Sequence, residues 1–156
     1  MITRDIAFPT TFDEWEDSEG NVFIKIPTMY RTIDAISSDN QITAFTISTT
    51  PLDASSEPYS VFKKPNGTVM QYVYIGKYLA TTSDSKMTSK NTTSSTYNIG
   101  TARTYAKNNG TGYQQFDWQF HKLFTDLALV ISGTVNFNSG SGVSSYLGVT
   151  GLGSDI

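Results

Sequence analysis

Gly112-Tyr-Gln-Gln-Phe-Asp-Trp-Gln-Phe-His-Lys-Leu-Phe-Thr-Asp-Leu-Ala-Leu-Val-Ile-Ser-Gly133 is the stretch on which the reading of this chain turns. Phe116, Phe120, Leu123, Leu127 and Val130 recur at spacings of three and four residues, which aligns them on one face of a helix. Phe124, Ala128 and Ile131 widen that stripe, and Trp118 and Leu129 carry apolar surface to the other side. A helix so nearly apolar all round buries most of its circumference. The pattern predicts a helix from about residue 114 to about residue 131, with sheet packed against it and Gly112 and Gly133 as stops.

Upstream of it, Asn98 to Gly110 reads as a shorter helix, about residues 100–109. Thr101 is its expected cap, and Ala102, Tyr105 and Ala106 form its inward face. The rest of the chain reads as short strands and polar loops. Val22 to Pro27 alternates, with Val22, Ile24 and Ile26 facing one way and Phe23 and Lys25 the other. Ile42 to Ser48 is a second strand, and the simplest topology pairs the two as a hairpin. Met70 to Tyr78 is the strongest strand signal. Its Tyr72 and Tyr74 share one face, Val73 and Ile75 share the other, and Gly76 marks a bulge or a close backbone approach. Between these strands, Pro58-Tyr59-Ser60-Val61-Phe62 is an apolar island expected to tuck against the core. Residues 81–96 read as one long polar loop, and residues 134–138 and 143–149 as two further extended pieces.

Composition removes several function classes. The formal charge is −3 and the 11 basic residues are scattered, so a nucleic-acid surface is not expected. With no cysteine and a single histidine, His121, neither a thiolate site nor a histidine cage for a metal can form. Asp13, Glu14, Glu16, Asp17 and Glu19 concentrate negative charge without the spacing of a calcium loop, and read as a solvated acidic turn or short helix. No metal or cofactor is expected. No run is long enough to span a membrane, and the N-terminus lacks the apolar centre of a signal peptide, so synthesis in the cytoplasm is expected.

Nor does any pattern announce catalysis. There is no nucleophile elbow beside which His121 could act, and Asp117, one turn earlier, reads as its local partner on the helix surface. Asp84, Asp117, Asp126 and the acidic N-terminal stretch are the carboxylates from which a glycosidase pair would have to come, and no spacing sets two of them about one bond. Aromatic residues reach 13% while charged residues are only 16%. Tyr72, Tyr74, Tyr78, Tyr97, Tyr113 and Trp118 outnumber what one small core needs. Aromatic faces with amide and hydroxyl groups beside them bind sugars or proteins. Tyr72, Tyr74, Tyr113, Gln114 and Trp118 are therefore the candidate ligand-binding residues, with no catalytic and no metal-binding residue expected.

Three segments taken in order carry a resemblance: Phe23-Ile-Lys-Ile-Pro-Thr-Met-Tyr-Arg31, Tyr72-Val-Tyr-Ile-Gly-Lys-Tyr78, and Thr101 through Trp118 into the apolar helix. Together they resemble tail-associated and fibre-type structural proteins of bacteriophages and prophages, mostly of Gram-positive hosts. The third, with Ala102, Arg103 and Ala106, also resembles the helix-pair region of C-type-lectin-like domains of the formylglycine-generating-enzyme type. The resemblance implies an α+β, C-type-lectin-like fold with the two helices on a twisted antiparallel sheet. Residues 21–156 would form that single domain, and residues 1–20 an N-terminal arm or packing segment. It implies a non-enzymatic virion protein of tail fibre, baseplate or head fibre that displays a surface for host adhesion. Such proteins self-associate, as trimers, and contact other virion proteins and host cell-wall glycan. The chain departs from the pattern at Pro58 to Phe62, where a histidine-containing segment is expected, and in lacking a longer Trp-rich C-terminal portion. It therefore reads as a trimmed domain or a fragment.

Overall fold

The structure is a computed structural model and describes residues 12–90 and 97–132. Strand alternation decides its first sheet. β2 (Val22–Pro27) lies between β1 (Glu14–Glu16) and β6 (Tyr72–Gly76), and both pairings are antiparallel. Period-two geometry sends Ile24, Ile26, Val73 and Ile75 inward, where Ile24 and Ile26 are fully buried. Pro27 ends β2, as a residue without an N–H must in a central strand. The chain then crosses to a second sheet through Thr28 and the buried Met29. Thr28 fastens this crossing, donating its N–H to the Gln71 carbonyl and its hydroxyl to the Met70 carbonyl.

The second sheet has β3 (Tyr30–Ile36) between β4 (Ile42–Ser48) and β5 (Glu57–Pro58). The expected hairpin of residues 22–27 with 42–48 is therefore corrected. β4 pairs with β3, and β2 pairs with the distant β6. The reason lies in turn geometry. Asp39-Asn40 closes a tight turn, with Asn40 at φ 61 and the Ser37 N–H on the Gln41 carbonyl, and so joins β4 to the strand directly before it.

The polar stretch beginning at residue 81 is also corrected in part. β7 (Thr81–Ser83) and β8 (Lys86–Thr88) form a hairpin within it, turned by Asp84 and Ser85 at positive φ. Ser89 then clips the hairpin to the first sheet. Its N–H donates to Asn21 Oδ1 at 2.9 Å and its hydroxyl to the Val22 carbonyl at 2.8 Å. This explains Gly76. A Cβ there would sit 2.9 Å from Ser89 Oγ, so the close approach expected from the sequence is real.

α1 (Ile99–Lys107) is capped by Asn98, whose side chain accepts the Thr101 N–H; the cap is not Thr101. Ala102 and Ala106 are its buried face. Asn108 and Asn109 tie its C-terminal end to the β7–β8 hairpin through the Ser85 and Met87 carbonyls, each at 2.8 Å. α2 (Trp118–Ser132) begins four residues later than expected. Asp117 sets the start, because its Oδ1 accepts the N–H groups of Gln119 and Phe120 at 3.0 and 3.1 Å. A side chain that satisfies two orphan donors fixes where the helix begins.

Phe120, Leu123, Phe124, Leu127 and Val130 of α2 are buried as predicted, against β4 and the 3₁₀ turn Ser60–Phe62. That turn holds Tyr59, Val61 and Phe62, so the apolar island does enter the core. Phe116 lies ahead of the helix and is half exposed, yet its ring stacks on Phe120 and Phe124. The chain is thus α+β, with antiparallel sheets and, among the described residues, two helices. No helix among them is long and apolar enough to cross a membrane. The extended pieces expected at 134–138 and 143–149 lie outside the described residues.

Candidate functional site

The outward face of the first sheet holds the candidate site. Alternation that buries Ile24 and Ile26 must turn Phe23 and Lys25 outward, and the same register turns Tyr72 and Tyr74 outward from β6. From β1, Trp15 stands directly opposite Phe23. The rings form one continuous ladder across the strands. Tyr113 lies 6.1 Å from Phe23, and Phe23 lies 5.6 Å from Trp15. Trp15 is 5.3 Å from Tyr74, and Tyr74 is 5.4 Å from Tyr72. Lys25 closes that end, with its ammonium 4.6 Å from the centre of the Tyr72 ring.

The rings are not coplanar. Neighbouring planes meet at 35° and 39° around Trp15, and at 66° to 70° elsewhere. Tilted contacts at Trp15 and edge-to-face contacts elsewhere let each ring support the next. Even so Trp15, Tyr72 and Tyr74 remain 44%, 42% and 39% exposed. A solvent-facing sheet surface is ordinarily polar.

The ladder's borders carry charge. Glu14 pairs with Lys77, and Glu19 with Lys86 at 2.6 Å. Asp17 closes the turn between β1 and β2, accepting from the N–H groups of Glu19 and Asn21 and from the Asn21 amide. The acidic segment is therefore an exposed edge strand followed by a capped turn, with Glu14, Asp17 and Glu19 each engaged; the turn is as expected and the short helix is not formed. Burial pushes the Asp17 carboxyl up, but the bonds from Asn21 and Glu19 and the Lys90 charge outweigh it and hold it below the usual carboxylate range. Burial raises the Tyr113 phenol, aided by the charges of Asp17 and Glu19 and opposed by Lys86.

Of the five candidate residues, Tyr72, Tyr74 and Tyr113 come together here. Gln114 and Trp118 do not join them. Gln114 bonds to Asp117 at 3.5 Å, and Trp118 stacks on His121, centroids 5.2 Å apart. Sequence reasoning missed Trp15, Phe23 and Lys25 as members of the ladder. The alternation of Phe23 and Lys25 was the available signal; the pairing of Trp15 with Phe23 had none.

A second polar cluster lies in the core. Asp126 is buried and accepts from the Tyr59 hydroxyl at 3.0 Å and from Lys122 at 2.9 and 3.0 Å. Arg31 Nε approaches it at 3.4 Å, off the line of a hydrogen bond, while the guanidinium covers the Phe45 ring. Burial first, then the Asp126 charge and bond, push the Tyr59 phenol far up despite Arg31, so it stays a proton donor. The cluster ties α2 to β3 and to the 3₁₀ turn. His121 shares its Nδ1 with the Thr125 hydroxyl at 3.4 Å, and Asp117 serves the helix start instead of pairing with it. Among the described residues no three of His, Asp and Glu converge as a metal site.

No family model, curated protein or solved structure matches this chain.

Proposed function

We propose that the protein is a non-enzymatic binding module, a virion component of a bacteriophage that adheres to host-surface glycan through its first sheet. The observation that carries the binding is the five-ring ladder, with three rings exposed where polar side chains would ordinarily stand. The virion setting, the C-type-lectin-like character of the fold and trimeric assembly with other virion proteins rest on the sequence resemblance. The steep tilts between rings suit one polysaccharide chain that turns as it crosses the strands. They suit a flat crystalline surface poorly, since that would need coplanar rings. Pyranose rings offer C–H faces to such aromatics and hydroxyls to nearby polar groups.

The test is a glycan array and a pulldown on Gram-positive cell walls, with the purified protein and Tyr74→Ala beside it. Binding of neutral glycan by the native protein that Tyr74→Ala abolishes is the expected result. No retention by any wall or glycan, in any oligomeric state, would overturn it. The same ladder fits a second reading, a structural assembly protein whose aromatics are covered by neighbouring subunits. Light scattering separates the two: an oligomer that Tyr74→Ala dissociates favours assembly, and an oligomer indifferent to it favours adhesion.

A further inference from the structure

Trp118 is the most exposed of the large apolar side chains described, at 73%. It sits in the first turn of α2 and is held there. Its ring lies nearly parallel to His121, 11° between planes, so the indole presents one fixed flat face. Beside it an open cleft of about 390 Å³ runs between the start of α2 and the outer face of α1. Ile99 and Arg103, one turn apart, form the α1 wall; Gln115, Phe116, Asp117 and Trp118 form the other.

Three of these groups are not fully satisfied. Arg103 is exposed and makes no ion pair among the described residues. Gln115 Oε1 is buried without a hydrogen-bond partner, which is uncommon for a native acceptor and asks for a reason. Asp117 gives Oδ1 to the helix cap, while its Oδ2 has only the long 3.5 Å contact from Gln114. The set open to a ligand is a flat aromatic face, one cation and one acceptor, with the unsatisfied Gln115 Oε1 buried in the cleft wall.

We propose that this cleft is a second binding site, separate from the ladder, for an acidic sugar residue of a polysaccharide. The sugar's apolar face lies on Trp118. Its carboxylate or phosphate meets the Arg103 guanidinium, whose planar fork matches either anion. A hydroxyl of the sugar donates to Asp117 Oδ2. Only the choice of carbohydrate as ligand class rests on the reading proposed above. The cleft itself stands on its own geometry.

Calorimetric titration of the full chain with three probes tests it: a neutral hexose oligomer, a hexuronic acid oligomer of equal length, and inorganic phosphate. The uronate oligomer is expected to bind, and more weakly as salt rises. Arg103→Ala is expected to lower that affinity about tenfold, the worth of one charge-assisted hydrogen bond. Trp118→Ala should also weaken it, while both variants bind the neutral oligomer as the native chain does. Tyr74→Ala should show the reverse pattern. Neutral binding without uronate binding overturns the cleft proposal and leaves the ladder standing. Uronate binding indifferent to Arg103→Ala and Trp118→Ala overturns it as well. Failure of both oligomers sinks both readings, and phosphate bound as tightly as the uronate overturns the sugar contact in favour of a bare anion site. Both side chains are exposed, so far-ultraviolet circular dichroism should report unchanged folding.

Discussion

The two faces of the β1–β2–β6 sheet are built from alternate residues of the same strands and do opposite things. Inward, Ile24, Ile26, Val73 and Ile75 are aliphatic and shielded by α2 and the second sheet. Outward, Trp15, Phe23, Tyr72 and Tyr74 are aromatic and meet solvent. Both faces are apolar, so hydrophobicity alone does not separate them. The difference is what the side chains are for. Aliphatic groups in staggered rotamers fill a closed interior at high density. Aromatic rings with few rotatable bonds keep a fixed shape at an open surface and lose little entropy when something lands on them. One face supplies stability, the other a rigid platform.

That contrast breaks most readily at Ile26. Ile26→Ala removes a fully buried side chain and should cost about 2–5 kcal/mol. Chemical denaturation reads this as a lower midpoint at unchanged slope, with glycan binding per folded molecule intact. A loss well under 1 kcal/mol would mean that the inner face is not the core. Next comes Asp126→Ala. It strips the Tyr59 hydroxyl of its acceptor and Lys122 and Arg31 of their anion. Both cations still reach water, so the loss should be about 2 kcal/mol, the cost of an orphaned buried donor, and less than for a fully buried pair.

Asp117→Ala should cost about 1 kcal/mol through the lost cap, and Asp117→Asn only a fraction of that. A larger loss would give Asp117 a role beyond starting α2. On the outer face, Tyr74→Ala should lower stability by about 1–2 kcal/mol, the low end for three ring contacts of a part-exposed side chain, while abolishing retention of neutral glycan. A stability loss as large as at Ile26 would make the ladder a second core and erase the distinction.

The smallest effect is the acid limb of Asp17. Despite burial, which raises it, its folded-state pKa is held below the ordinary carboxylate range by the bonds from Asn21 and Glu19 and by the Lys90 charge. The stability it contributes is therefore present above the unfolded-state pKa and is lost as pH falls through the lower, folded-state value. Asp17→Asn, which keeps an acceptor for the turn, should flatten that limb of the pH–stability curve below about pH 4. A native limb identical to that of Asp17→Asn would remove the charge from the account.

Much of this was legible in the residues. The 3.6-residue recurrence from Phe120 to Val130 named the buried face of α2, because helical geometry converts spacing into a face without outside help. Alternation did the same for Ile24 against Phe23 and for Val73 against Tyr72. The island at Tyr59 to Phe62 and the tight place at Gly76 were equally visible. The helix start is not legible from the stripe, because an apolar stripe says nothing about where the N–H groups find acceptors, and Asp117 decides that. Strand pairing is not legible either, because β2 and β6 lie some fifty residues apart in sequence. Side-chain pattern fixes which way a strand faces, not which strand lies beside it.

The chain by itself determined which side chains face together: the stripe of α2, the two sides of β2 and β6, and the tyrosines of one strand. These are consequences of local backbone periods. Only the tertiary structure decided which faces meet. It brought Trp15 and Tyr113 to Phe23, set Arg31 and Tyr59 on Asp126, and parted Trp118 from the other candidate residues. Such contacts depend on long-range hydrogen bonding and on where the chain can turn, and no residue carries that information alone.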